Sequence, residues 1–548
     1  MPNSSSKYQR TPPPIAQSSL EWRETCKYLR GITQQLKIEP IKLHDNMIDY
    51  INDEIDLQNC IRPKNKKLTS LKKLSPYQVA ELILHSRYVI AVGDNNNQNP
   101  VLAIYQDNGI DEGIYVSNDR TIEQIIHEYA PYFESKDIIE TKAYLLRTAP
   151  LKQLCSERHL IAVNNGIFNY DSKQLLPFTP DFIFLSKSKV NYNPNATNIV
   201  IRNPDGTEWD IESWMKELSD DAEVVNLLWQ ILGAIIRPNV HWNVSAWFYS
   251  ESGNNGKGTL CELMRSLCGP GTYTSIPLSD FGKDFALEPI IGASAIIVDE
   301  NDVGTYIDKA ANLKAIITGD NICISRKFKV GVEAAFHGFM VQCLNEMPRI
   351  KDKSDSFFRR QLFVPFTKCF TGVERKYIKQ DYLHRREVLE YALYRVLNMN
   401  YYELDVPQSC KDALEEYRIY NDPTRQFIEE VLPNCVWTLL PYTFLFDLYV
   451  AWYKKTNPNG KPSGRNNFIN DLKTALANNP NYQADNSRIK TLDRMANAEP
   501  LIAKYDLTDW YNKKYKVTND YMLSCHPPLS ESYRGVLRLT PNKNNNEQ

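Results

Sequence analysis

A chain of 548 residues is too long for one hydrophobic core, so three or four domains are expected. With 42% hydrophobic and 24% charged residues it is globular rather than disordered. Its 64 basic and 66 acidic residues exclude the strong positive charge of a protein that coats nucleic acid, but a ring-shaped motor needs basic residues only along its channel. The eleven cysteines contain no Cys-x-x-Cys pair, which points to reduced thiols and no zinc site. Met1 to Ser19 is polar and proline-rich without a signal-peptide apolar core, and no run of about 18 apolar residues exists to span a membrane.

In chain order, residues 1–19 are expected to be a disordered tail. Residues 20–148 read as a small α+β domain of unknown role. Helical periodicity covers Leu20–Leu36 and Tyr77–His85. The apolar runs Tyr88–Val92 and Val101–Tyr105 flank the polar stretch 94–100 as a hairpin, and Gly113–Val116 adds a strand. Asp53, Glu54 and Asp56 lie in a polar helical stretch, not on a strand as a two-metal primase centre would need, so primase activity is expected to be absent. Residues 216–240 carry apolar positions at helical spacing (Val224, Leu227, Leu228, Ile231, Leu232, Ile235).

Next comes Ala246-Trp-Phe-Tyr249, then Ser-Glu-Ser-Gly-Asn-Asn-Gly-Lys-Gly-Thr over residues 250–259, then Leu260-Cys-Glu-Leu-Met264. This reads as strand, glycine-rich loop and helix, with Gly253, Asn254, Asn255, Gly256, Lys257, Gly258 and Thr259 placed to wrap a triphosphate. Glu251 stands where the usual phosphate loop has its first glycine, and Gly258 where it has its hydroxyl. Ala295-Ile-Ile-Val298 runs into Asp299 and Glu300, an apolar strand with two carboxylates at its C-terminal end. Asp299 would hold Mg²⁺ and Glu300 would polarise the attacking water. Gly338–Leu344 is a third strand, ending at Asn345, which either senses the γ-phosphate or caps the turn before Pro348. Arg359 and Arg360 precede Leu362–Phe366, and one of them would serve a neighbouring subunit as an arginine finger.

Taken together with Leu313-Lys-x-x-x-Thr-Gly-Asp320 and Asn345-x-x-Pro-Arg349, this series resembles the ATPase core of superfamily 3 helicases, in the branch of phage and poxvirus primase-helicases. Val163-Asn-Asn-Gly-Ile-Phe168, Pro177–Asp181 and Trp229–Gly233 are similar to the segment that precedes that core. The resemblance implies an α/β multidomain chain. An AAA+-type P-loop ATPase core would occupy 241–370, preceded by a pre-helicase segment and helical collar at 149–240. A helical linker (371–424), a winged-helix-like DNA-binding domain (425–535) and a disordered tail (536–548) would follow. It also implies a ring, most simply a hexamer, that hydrolyses ATP with Mg²⁺ between subunits and translocates on a DNA strand in the cytoplasm, that of a bacterial host for a phage or mobile-element protein. The hairpin expected over 322–332 would enter the channel, with Arg326, Lys327 and Lys329 on phosphates and Phe328 stacked on bases. In the C-terminal domain Ser463 would cap a helix presenting Arg465, Asn466 and Lys473 to duplex DNA, with Arg488, Lys490 and Arg494 in a wing. Gly-Lys-Gly-Thr also occurs in nucleoside monophosphate kinases, but those chains are far shorter. A replication initiator whose ATPase only switches assembly is the alternative.

Overall fold

The computed structural model describes residues 16–32, 38–93, 100–327, 329–456, 462–477, 479–515 and 521–539. They form a mixed α/β chain of two compact units. The first comprises residues 1–352 with 359–411, and the second comprises 353–358 with 412–548.

The N-terminal part of the first unit packs five helices against one face of a four-stranded sheet. The helices span Gln17–Leu29, Pro40–Cys60, Pro76–Ser86, Asp119–Tyr129 and Ser135–Thr148. Helix therefore begins at Gln17, inside the segment expected to be tail, because Leu20 is needed in the core, where it is fully buried with Met47, Ile51 and Val79. The expected hairpin pairs Val89–Val92 with Val101–Tyr105, Val89 opposite Ile104. Its loop, 94–99, lies outside the described residues. All four residues of Val89–Val92 are buried, since the helices cover one face while Ile183 packs on the other. A meander of Leu160–Val163, Gly166–Asn169 and Gln174–Leu176 follows.

The helix Ala222–Ile235 starts at Asp221, whose carboxylate accepts the Glu223 N–H at 2.9 Å. Past Asn226 its only polar side chain is Gln230, which donates to Asp405 at 2.6 Å, and every side chain from Leu227 to Ile235 is buried, as expected of a helix enclosed by the core. At its end the fully buried Arg237 guanidinium lies 3.6 Å from the Tyr170 ring centroid, 4.8 Å from Tyr401 and 4.9 Å from Tyr402. Ring faces stabilise the buried charge there and tie the meander to the C-terminal end of the unit.

Five parallel strands form the next layer: β1 (Ser245–Tyr249), β2 (Tyr273–Thr274), β3 (Ala295–Val298), β4 (Phe339–Leu344) and β5 (Gln361–Pro365). Their order across the sheet is β2-β3-β4-β1-β5. β3 and β4 are buried at every position, the mark of a parallel sheet covered on both faces. Because the strands are parallel, the C-terminal ends of β1, β3 and β4 open on one edge. β4 lies between the other two, so the segments that follow these strands are neighbours.

In the second unit, helices Pro423–Glu430, Tyr442–Thr456 and Arg465–Leu476 pack on an antiparallel sheet of Leu439–Pro441, Gly535–Arg538 and Tyr482–Ala484, with Gly535–Arg538 in the middle. Phe427, Phe444, Tyr449 and Phe468 fill the core, with the Tyr449 and Phe468 rings stacked at 4.3 Å. The unit takes in residues from Asp412, earlier than the expected boundary at Arg425. It also includes 353–358, which lie within the expected ATPase segment 241–370. The expected tail 536–548 is in part a strand, since Val536 is fully buried in this sheet; 540–548 lie outside the described residues. The helix at Arg465 has Gly464 as N-cap with no side-chain bond, so Ser463 does not cap it.

Candidate functional site

β1 ends in the loop 250–256, which feeds directly into the helix Lys257–Cys268. Gly256 is the helix N-cap at φ +86°, and a Cβ there would come within 2.6 Å of Leu218 Cδ2, so only glycine fits. Asn254 also adopts a left-handed conformation, at φ +54°, which asparagine tolerates. The Asn255 side-chain amide donates to the Ser252 carbonyl, and Phe370 N–H donates to the Asn254 carbonyl at 2.7 Å. The loop is therefore set before any ligand arrives. Glu251 is exposed, accepts the Tyr249 hydroxyl at 3.1 Å and does not take a positive φ, so no glycine is required at that position.

Lys257 is buried at 5% exposure. Its ammonium donates to Asn345 Oδ1 at 3.0 Å and to the Ser250 carbonyl at 3.3 Å. Burial pulls its pKa below the usual lysine value. The loop lysine and the residue at the tip of β4 thus meet. Asp299 and Glu300 follow β3 on the same edge. The buried Asn301 next to them donates to Gln342 Oε1 and to the Cys343 carbonyl, each at 3.0 Å, which locks the end of β3 to β4.

The structure adds a residue that the motifs did not reveal. Arg265, two turns into the loop helix, meets Asp299 twice, Nη2 to Oδ1 at 2.9 Å and Nη1 to Oδ2 at 3.2 Å. Its hydrogen bonds hold the Asp299 carboxyl below the usual carboxylate range. An ionised, oriented carboxylate and the Thr259 hydroxyl suit Mg²⁺, which takes one or two protein oxygens and completes its shell with phosphate and water. Among the described residues there is no group of three or more His, Cys, Asp or Glu side chains that could hold a metal ion. Replacing Arg265 with Met is expected to raise the Mg²⁺ concentration needed for half-maximal ATP hydrolysis by about 10-fold or more. Because the Asp299 pKa then rises, the acid limb of the rate–pH profile is expected to move to higher pH. An unchanged Mg²⁺ titration together with an unmoved acid limb would show that Arg265 serves only folding.

Beside the loop is a cleft of about 180 Å³, lined by the apolar Leu218, Phe370, Val373 and Ile378, with Thr259 and Lys379 also on its wall. An ion pair between Arg375 and Glu217 closes one side. Lys379 is a second unforeseen cation. Its ammonium is 3.7 Å from where a Cβ on Gly258 would sit, and its charge also favours ionised Asp299.

Arg359 and Arg360 lie elsewhere. The Arg360 carbonyl accepts the Ser245 N–H at 2.9 Å, at the start of β1. Five strand residues, about 16 Å, separate them from the loop of the same chain. The hairpin forms between Ile322–Arg326 and Lys329–Ala334, with a bulge near its tip. Arg326 is paired with Glu288 at 3.2 Å, and Lys327 is exposed. Phe328 and the Lys329 side chain lie outside what the structure describes. In the second unit Arg465 is exposed at the start of its helix, whereas Lys473 is half-buried with its ammonium over the Tyr442 ring at 5.1 Å. Ile489–Lys490 pairs with Ser532–Tyr533 as a small wing-like ribbon that carries the exposed Arg488 and Lys490.

Comparison with known proteins finds three segments. Residues 83–220 match the D5 N terminal like family, residues 248–360 a family of unknown function, DUF5906, and residues 420–523 the Poxvirus D5 protein-like family. Among solved structures, an A-form apo structure of the NrS-1 C-terminal region is 14% identical, with 85% of this chain and 100% of that chain covered, at a TM-score of 0.42. A second A-form apo structure of that region is 13% identical over 77% and 98% of the two chains at 0.42, and a further apo structure is 13% identical over 71% and 84% at 0.38. Among the described residues no helix is long and apolar enough to cross a membrane.

Proposed function

Since the chain is a D5-like protein of the phage and poxvirus primase-helicase kind, we propose that it is an ATP-driven replicative DNA helicase working as a ring, with an AAA+-type core built on the five-stranded sheet. The observation that carries this reading is the Lys257 ammonium on Asn345 at 3.0 Å, with Asp299 and Glu300 at the end of the adjoining strand.

The roles follow from the chemistry of each group. Backbone N–H groups from Gly253 to Gly258 wrap the β-phosphate at the helix N-terminus. Lys257 leaves Asn345 for the β- and γ-phosphate oxygens, regaining in charge-assisted bonds what burial withholds from its ammonium. The freed Asn345 amide turns to the γ-phosphate or the attacking water. Glu300 takes that water's proton as its oxygen bonds to phosphorus and the bond to the ADP oxygen breaks. Thr259 and Asp299 would hold Mg²⁺, which when bound offsets the charge on the transferred phosphoryl group. The apolar cleft of Leu218, Phe370 and Ile378 takes the nucleobase, and its position beside Thr259 supports this use. Phosphate release then shifts the 322–334 hairpin along single-stranded DNA. The three helices, antiparallel sheet and ribbon of the C-terminal unit support a winged-helix reading, with Arg465 on the helix that meets duplex DNA.

The alternative, an initiator whose ATPase only switches assembly, shares the site but not the output. On forked DNA, ATP is expected to release the displaced strand, while the non-hydrolysable analogue permits assembly without release. DNA-stimulated hydrolysis with no strand displacement would select the initiator instead.

A further inference from the structure

Residues 62–73 carry six cations, Arg62, Lys64, Lys66, Lys67, Lys72 and Lys73, with no carboxylate among them. An ordinary charge run is solvated and mobile, because nothing repays the entropy of ordering it. This one is fastened. The segment doubles back along the helix Pro40–Cys60, and three side-chain amides each grip one of its residues by both N–H and carbonyl. Asn59 donates to Leu68 O at 3.0 Å and accepts from Leu68 N at 2.7 Å. Asn52 does the same to Leu71 at 3.0 and 2.7 Å. Gln17 does so to Thr69 at 3.1 and 3.2 Å. Each amide imitates one rung of a β-ladder. Asn52 and Asn59 are two helical turns apart on one face, about 10.5 Å, so they hold the strap at two points along its length. Leu68 and Leu71 pack inward on the domain core and Leu74 is buried. The five lysines remain exposed.

The charge of the five lysines is not cancelled pair by pair. Among the described residues none of the five lysines is in an ion pair, and Lys73 rests over the Tyr132 ring at 4.8 Å. On the supporting helix Glu54 is turned to Arg23 at 3.6 Å. Asp49 and Asp56 share the face of Asn52 and Asn59, and Asp53 lies beside it; set against these three carboxylates, the five exposed lysines still leave the strap positive by two charges.

We propose that this strap is a nucleic-acid docking surface that grips the DNA phosphate backbone without regard to sequence, as a contact additional to those of the hairpin and the C-terminal unit. An extended, pinned row of ammonium groups suits a polyanion of regular charge spacing, since each phosphate neutralised releases a condensed counterion and little further ordering is needed. The strap would hold DNA against the N-terminal domain independently of ATP hydrolysis.

The test uses the full chain with Lys64, Lys66, Lys67, Lys72 and Lys73 all changed to Gln, and a companion with all five changed to Arg. Binding of fluorescent duplex and single-stranded DNA is followed by anisotropy between about 50 and about 200 mM salt. The Gln variant is expected to lose about 3 to 4 from the magnitude of the slope of log K against log salt and to bind at least 10-fold more weakly at the low end, with the Arg variant close to wild type. Hydrolysis measured without DNA should be unchanged in both, and Lys257→Ala should bind DNA through the strap as wild type does. These readouts keep the proposal separate from the motor reading. An unchanged salt slope in the Gln variant would overturn it. So would unchanged DNA binding accompanied by lost binding to phosphatidylserine vesicles, which would assign the strap to a membrane surface.

Discussion

Replacing Lys257 with Ala is expected to lower ATP hydrolysis at least about 100-fold while the chain stays folded. Lys257 is the only residue of the loop whose charge is both buried and already aimed at the position where phosphate would lie, between the Ser250 carbonyl and Asn345 Oδ1. In the free protein those two acceptors hold the ammonium in a place where solvent cannot. A γ-phosphate offers it a full negative charge instead, and the difference grows as charge spreads over the phosphoryl oxygens in the transition state. Lys257→Arg keeps the charge but should not rescue, because a planar guanidinium cannot take the single-point position behind a loop fixed by Gly256 and Asn255. Circular dichroism of both variants should show a folded chain, since the bonds from Asn255 to Ser252 and from Phe370 to Asn254 keep the loop's shape, while the lost bonds to Ser250 and Asn345 lower stability by about 1–3 kcal/mol. Hydrolysis at the wild-type rate in the Ala variant would remove the nucleotide site from this loop altogether.

The parts of this site that could be read in the sequence are those in which chemistry and chain position coincide. The glycines, Lys257 and the strand before them are contiguous. Asp299 and Glu300 follow an all-apolar run and Asn345 a run apolar but for Gln342, and such runs announce strands buried on both faces. What stayed hidden is built from chain-distant pieces. Arg265 carries no motif, and the fold brings Asp299 beside it from 34 residues away. Lys379 lies on a five-residue helix without a motif, and the cleft joins Leu218, Thr259 and Phe370. Only tertiary structure relates those positions. β2 is two residues long and half-buried, too short for any periodicity to mark it. The strand residues Val536–Arg538 fall in the expected tail because a short apolar run near a chain end carries no signal of the partners it finds at Leu439–Pro441 and Tyr482–Ala484. The amide clamps on 68–71 were equally invisible, since asparagine on a polar helix face is ordinarily solvated.

Changing Arg359 and Arg360 together to Ala is expected to abolish hydrolysis by about 1,000-fold while leaving nucleotide binding within a few-fold of wild type. The geometry makes the reason specific. Both arginines sit at the entry of β5, beside the start of β1, and the phosphate loop is at the far end of β1. On the ring reading they are too far from the nucleotide of their own chain, and their effect on catalysis would be exerted on a neighbour. A head-to-tail ring brings the entry edge of one sheet to the exit edge of the next in a way that a two-fold dimer does not. The consequence can be tested by mixing two inactive proteins. Lys257→Ala carries intact arginines and a dead loop, whereas the double arginine variant carries an intact loop and no finger. In an equal mixture, about one interface in four pairs an intact loop with intact arginines, and activity should reappear towards that fraction of wild type. Neither variant alone, at any concentration, should show it. Wild-type hydrolysis should also rise more steeply than linearly with protein concentration across the range where rings form. A mixture as dead as its components, with both variants shown to assemble, would place the finger elsewhere. Activity strictly proportional to concentration down to the isolated chain would remove the shared site, and with it the ring as the unit of hydrolysis.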